Sequence, residues 1–145
     1  MTARWTLCRA AIATTIEALT PETLPSRRYH EARSDAVLEG ASGLRAFWQD
    51  PPNGGELVQQ GAETVRLRYE WNLNVLLSRG VADIPDFVDG TATEPLNIMR
   101  ALLTMTPTEG ADAVQVLRFA TTTPGGDADE VQVQFALVCE IDEDL

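Results

Sequence analysis

The stretch Val65 to Val75, V-R-L-R-Y-E-W-N-L-N-V, alternates apolar and polar residues without a break for eleven residues. A period of two belongs to a β-strand, whose successive side chains point to opposite faces of a sheet. One face then carries Val65, Leu67, Tyr69, Trp71, Leu73 and Val75, and the other Arg66, Arg68, Glu70, Asn72 and Asn74. At ~3.3 Å per residue the strand spans roughly 36 Å, so it is expected to cross a whole sheet or to reach past it toward a neighbour.

Upstream, Trp5, Cys8, Ile12, Ile16 and Leu19 recur at three- and four-residue spacing. That predicts a helix over residues 1–20 with one apolar face, stopped by Pro21 and Pro25. Arg28 to Arg33 (R-Y-H-E-A-R) and Leu44 to Trp48 (L-R-A-F-W) predict two short strands, the second entered through Gly40 and Gly43. D-P-P-N-G-G at Asp50 to Gly55 is a concentrated turn signal and predicts an extended loop over residues 50–62, either a hairpin tip or a loop ordered by a partner.

Downstream, Ser78-Arg79-Gly80 breaks the alternation and Ile84-Pro85-Asp86 reads as an irregular acidic crossing. T-A-T-E from Thr91 has capping-box form and Pro95 fits a first turn, predicting a helix that continues through Leu96, Met99, Leu102 and Leu103 to Thr106-Pro107. Val114 to Thr121 and Val131 to Ile141 form a hairpin around Thr123-Pro124-Gly125-Gly126-Asp127, and the acidic tail over residues 142–145 is expected to fray. These elements compose a single α+β domain over residues 1–145. Its sheet is mostly antiparallel with one long central strand, two helices pack on one face, and a β-hairpin closes the chain.

A chain of 145 residues that is 44% hydrophobic and 23% charged has ordinary globular composition and can bury about two-thirds of its unfolded surface. No apolar run approaches the ~20 residues of a membrane span, and Arg9 and Glu17 interrupt the N-terminal stretch, which reads as a helix and not a signal peptide. Cys8 and Cys139 fall on apolar positions, where thiols serve as small buried hydrophobes. The net charge of −11 is lopsided: residues 1–79 hold nine Arg and nine acids, residues 80–145 two Arg and thirteen acids. Such a surface repels phosphate, which argues against gripping DNA directly. All eleven bases are Arg, the better residue for ion pairs of fixed geometry.

Signatures of chemistry are missing from the sequence. Gly40, Gly43, Gly54 and Gly55 lack the spacing and the following Lys of a phosphate loop, and no Cys pair has metal-ligand spacing. His30 is the one histidine, and Ser26, Ser34, Ser42 and Ser78 lack the setting of a nucleophile. Asp83, Asp86 and Asp89 are spaced like cation ligands but lack the Gly and terminal Glu of a calcium loop, so they read as a solvated acidic turn. The expectation is therefore a protein without catalytic residues, cofactor or metal. An ordered polar sheet face suits an assembly subunit. The candidate inter-subunit contacts are Arg66, Arg68, Glu70, Asn72 and Asn74 with Asp50, Asn53 and Glu56 of the loop.

The order of elements resembles that of the tail-terminator proteins of long-tailed bacteriophages. The likeness rests on the amphipathic N-terminal helix, L-R-A-F-W, D-P-P-N-G-G-E, the long alternating strand, the helix before M-T-P, and the hairpin ending V-Q-V-Q-F-A-L-V-C-E-I. The resemblance implies a non-enzymatic subunit of a hexameric homo-oligomeric ring that caps the tail tube and joins it to the head-side connector or stopper protein. It further implies a place in the virion after assembly in the host cytoplasm, an acidic surface facing a channel through which genomic DNA passes as cargo, loop 50–62 touching adjacent ring members, and no membrane partner. A head-completion or stopper protein, another neck or minor tail protein, and a small ligand-binding α+β domain or enzyme are the competing expectations.

Overall fold

The computed structural model describes residues 2–21, 28–32, 45–80, 82–123 and 129–145. Arg33, Pro25, Gly40, Gly43 and the hairpin turn at Pro124 to Asp127 lie outside them. The described residues form helix α1 (Arg4–Glu17), strands β1 (Tyr29–Glu31), β2 (Arg45–Gln49), β3 (Gly55–Gln60) and β4 (Thr64–Ser78), helix α2 (Ile84–Thr104), and strands β5 (Gln115–Thr122) and β6 (Glu130–Asp144). The sheet runs β1-β2-β4-β6-β5, with β3 added to β4 beside β2. Every pairing is antiparallel except β1 with β2. The protein is thus an α+β fold with a mostly antiparallel sheet and a C-terminal strand pair.

The alternating run is longer than its sequence signal, and β4 and β6 pair in unbroken register from Thr64 opposite Asp144 to Ser78 opposite Glu130. This register stacks like on like. Leu73 faces Phe135, Val75 faces Val133 and Trp71 faces Leu137 on one side, while Arg66 faces Asp142 and Arg68 faces Glu140 on the other. The apolar side joins Cys8, Ile12, Ala13 and Ile16 of α1 and Phe87, Ile98 and Leu102 of α2 in one core, so both helices cover the same face. Full cover stops partway along β4: Trp71, Leu73 and Val75 are buried, whereas Val65, Leu67 and Tyr69 are half-buried. Trp5 shelters that end, edge-on to Trp71 at 5.7 Å and tilted on Tyr69 at 6.3 Å.

Three boundaries differ from expectation. Gly55–Gln60 form a strand on β4 in the middle of the loop expected over 50–62, leaving residues 50–54 before it and a short turn into β4 after it. Helix α2 begins at Ile84 and not near Thr91: Asp83 caps it by accepting from Asp86 N at 2.9 Å, Pro85 lies in its first turn, and Pro95 sits inside the helix. Pro85 satisfies the same first-turn preference as Pro95, and burial of Phe87 extends the helix N-terminally. The expected acidic crossing with Asp83, Asp86 and Asp89 is therefore the start of this helix.

The third correction is the tail, which pairs through Asp144 and does not fray. α1 has no side-chain cap of its own at Ala3. The Glu143 carboxylate supplies it, accepting from Arg4 N at 2.8 Å and Trp5 N at 3.1 Å, while Arg4 Nη1 donates to Asp142 O at 2.6 Å. A negative group at the first N–H groups of a helix satisfies otherwise orphaned donors and complements the dipole. Tyr69 also donates to Glu143 at 3.3 Å, and burial, then the Glu143 charge, raises its phenol above the ordinary value.

The helix side also holds charge. Arg45 of β2 and Glu94 of α2 are each 1% exposed and meet at 3.0 Å through both Nε and Nη2, with Arg45 Nη1 donating to Ser78 O at 2.9 Å. Buried Tyr29 lies beside them; burial first and the Glu94 charge second push its phenol up, against a smaller pull from Arg45.

Candidate functional site

The polar face of β4 is set by the same alternation that builds the core, and the β4–β6 register decides what each side chain meets. Arg66 is ringed by acids: it donates to Asp112, to Asp142 at 3.1 Å and to Glu140 at 3.4 Å. Hydrogen bonds to Asp112 and then Asp142 hold its guanidinium protonated more firmly than usual. Arg68 bridges Glu140 and Glu56, each at 3.4 Å. The two arginines expected to reach a neighbour thus already serve β6 and β3 of their own chain.

Beyond Arg68 the face becomes concave. Asp50, Asn53, Glu70 and Asn72 line a cavity of about 330 Å³ together with Leu117 and Arg118 of β5. A second hollow of about 200 Å³ adjoins it, lined by Arg68, Glu70, Asp112, Gln115, Leu117 and Glu140. Glu70 and Leu117 border both, so the two make one trough across the sheet. Its mouth near Asp50 is shaped by backbone: Asp50 N donates to Asn72 O at 2.9 Å and Asn53 N to Glu70 O at 2.8 Å, strapping the turn to β4.

Of the eight sequence candidates, Asp50, Asn53, Glu70 and Asn72 share one cavity and Arg68 stands in the next. Arg66 and Glu56 sit at the edge within the ion-pair network. Asn74 is buried: its Oδ1 accepts from Gln134 at 2.9 Å and Gln132 at 3.3 Å, which makes it a structural hydrogen-bond centre. Nearby on this face Ala46 and Leu76 form a small apolar cluster with Trp48, so the face is not uniformly polar. Sequence reasoning missed Asp112, Leu117 and Arg118. Arg118, one of only two bases after residue 79, was the available signal.

On the helical side a cavity of about 440 Å³ is lined by Leu19, Tyr29, Glu94, Asn97, Arg100 and Thr104, but its carboxylate is engaged by Arg45. Among the described residues no group of three His, Cys, Asp or Glu is placed to hold a metal ion, and no helix is long and apolar enough to cross a membrane. His30 is exposed on β1. Cys8 and Cys139 are buried free thiols; the Cys139 Sγ donates to Asp112 O at 3.2 Å, and its hydrogen bond with Cys8, with burial, pushes its pKa up.

No protein-family model and no curated protein matches the sequence. Among solved structures, a chain from the virion of a native gene transfer agent (GTA) particle superposes with a TM-score of 0.60 at 12% identity, over 92% of this chain and 93% of that one. The two chains share a fold. At this identity the likeness concerns architecture, and it extends over nearly the whole length of both chains.

Proposed function

We propose that this protein is a structural, non-enzymatic subunit of a phage-like virion, and within it a tail terminator: a subunit of a hexameric ring that caps the tail tube and meets the head-side connector. The observation that carries this reading is the shared fold with a chain of a virion particle over more than nine-tenths of both chains. The resemblance in element order to tail terminators supports the finer assignment. The trough built from Asp50, Asn53, Glu70, Asn72 and Arg118 is the proposed contact for a neighbouring protein. The net charge of −11 suits a wall past which DNA slides without adhering.

Electron microscopy of the purified protein mixed with uncapped tail tubes and with head connectors tests the assignment. Rings seated on tube ends are expected. Rings on connectors alone favour a stopper, and failure to decorate either across protein concentrations refutes the role.

A further inference from the structure

We propose that β3 of one subunit pairs with β5 of the next copy, so that the sheet continues across each subunit boundary of the ring. The proposal rests on the ring reading above and names its interface. Among the described residues, strand β5 pairs only with β6 and β3 only with β4, so that each presents an outward row of backbone donors and acceptors. Such edges template further pairing unless guarded by devices such as Lys, Pro or bulges; neither strand holds Lys or Pro, and each has one register shift against its partner, between Leu57 and Gln59 and between Val116 and Arg118. Both instead expose apolar side chains: Leu57 is 54% and Val58 43% exposed on β3, Leu117 52% and Phe119 38% on β5.

Direction and facing agree with this pairing. Strand direction reverses at each step of β3-β4-β6-β5, so β3 and β5 run opposite ways. A copy generated by rotation about the axis of a closed sheet keeps those directions, whatever the strand tilt, and its β3 meets β5 antiparallel with the helices on the same side. Glu56 lies opposite Arg68 and Arg118 opposite Ala136, both on the polar face; Leu57 lies opposite Leu67 and Phe119 opposite Phe135, both on the helix face. Glu56 is the sole charge of β3 and Arg118 the sole charge of β5, and the two have opposite sign. Opposite charges then share one face of the junction, beside Leu117, and Leu57 and Phe119 share the other. The present partner of Glu56, Arg68, is exposed and 3.4 Å away, a weak hold on that carboxylate.

The offset between the edges also fits closure. β3 is centred on Leu67 of β4 and β5 on the level of Leu73, a stagger of six residues. That is ~20 Å along the strands across four strands spaced ~4.8 Å apart, giving a tilt of about 45° to the ring axis. Closed sheets tilt by ~35–45°. A head-to-tail contact whose rotation closes makes a ring, and one that does not close makes a filament.

Disulfide trapping tests the junction. Leu57→Cys and Phe119→Cys subunits, confirmed folded by circular dichroism when reduced, are mixed at tail tubes and oxidised with copper-phenanthroline. A linked peptide joining positions 57 and 119 is expected in the mixture, and a covalent ladder up to ring size in the double variant. Independently, Arg118→Glu is expected to raise the concentration for half-assembly about tenfold, and adding Glu56→Arg to restore it. Rings seen by microscopy without the 57–119 link overturn the edge pairing and leave the ring assignment standing. Links of 57 to 57 or 119 to 119, or assembly indifferent to Arg118→Glu, overturn it as well. Neither rings nor links overturns both readings together.

Discussion

Replacing Glu94 by leucine strands the Arg45 guanidinium in the interior. Both members are 1% exposed, so water cannot take over for the carboxylate that now lies 3.0 Å from Nε and from Nη2; the bond to Ser78 O remains. Removing one partner of a buried pair costs about 3–5 kcal/mol, because the survivor keeps its desolvation penalty without the compensating charge. For a chain of 145 residues that corresponds to a fall in Tm on the order of 10 °C. The double variant Arg45→Met with Glu94→Leu removes both charges and fills the same space, an exchange that ranges from neutral to about 4 kcal/mol stabilising. Urea unfolding of the wild type, both single variants and the double variant, followed by circular dichroism and fluorescence, closes the cycle. The double variant is expected to be more stable than either single variant. Costs that simply add, or a Glu94→Leu protein that unfolds with the wild type, would refute the pair as a buried, mutually dependent unit.

Alkaline pH should weaken the fold through Tyr29, whose phenol is held above its unfolded pKa of about 10. The native state then keeps a proton that the unfolded chain loses, so its contribution is full below about pH 10 and declines as pH rises beyond. Tyr29→Phe should flatten the decline measured by denaturant melts from about pH 8 to pH 11, and parallel curves would exclude Tyr29 as its source. Gly110→Ala combines a left-handed backbone (φ +76°) with a Cβ only 2.8 Å from Arg4 Nη1, whereas Gly54→Ala (φ +65°) meets nothing within 4 Å. Both should lose about 1–2 kcal/mol from backbone strain. Gly110→Ala should lose measurably more in thermal melts, and equal losses would show that Arg4 yields freely. Arg66→Gln should lower Tm at low ionic strength and do so less in about 1 M salt, since its acidic ring is partly exposed and screenable. A salt-independent difference would contradict the ion-pair account.

The sequence was most informative where one face is buried. Trp71, Leu73 and Val75, the matching positions of β6, and Cys8, Ile12 and Ile16 of α1 follow periodicities that burial enforces. It was least informative where exposed backbone pairing decides. All six residues of β3 are exposed, so G-E-L-V-Q-Q carries no alternation and the flanking Pro-Pro and Gly-Gly read as loop. The acidic D-E-D at the end of β6 looks unstructured until its partners are known. Those partners are Arg66, reached across the sheet, and the N–H groups of Arg4 and Trp5, about 140 positions away in sequence. The candidate surface divides in the same way. Glu70 and Asn72 were legible from alternation, whereas Arg118 joins them only through the β5–β6 register, which slips between Val116 and Arg118 and cannot be inferred locally.

The Glu143 cap gives the fold an order in time. A helix of 14 residues is marginal alone, and α1 lacks a local cap, so its first two N–H groups find their acceptor only once residue 143 lies beside β4. Contacts between positions so far apart raise contact order and slow folding. During synthesis β3 and β4 precede the strand that completes the sheet, and their edges lie open in the meantime. A subunit built this way anchors the start of α1 only when β6 is in place, which ties the cover of the core to the strand that also joins β4 to β5.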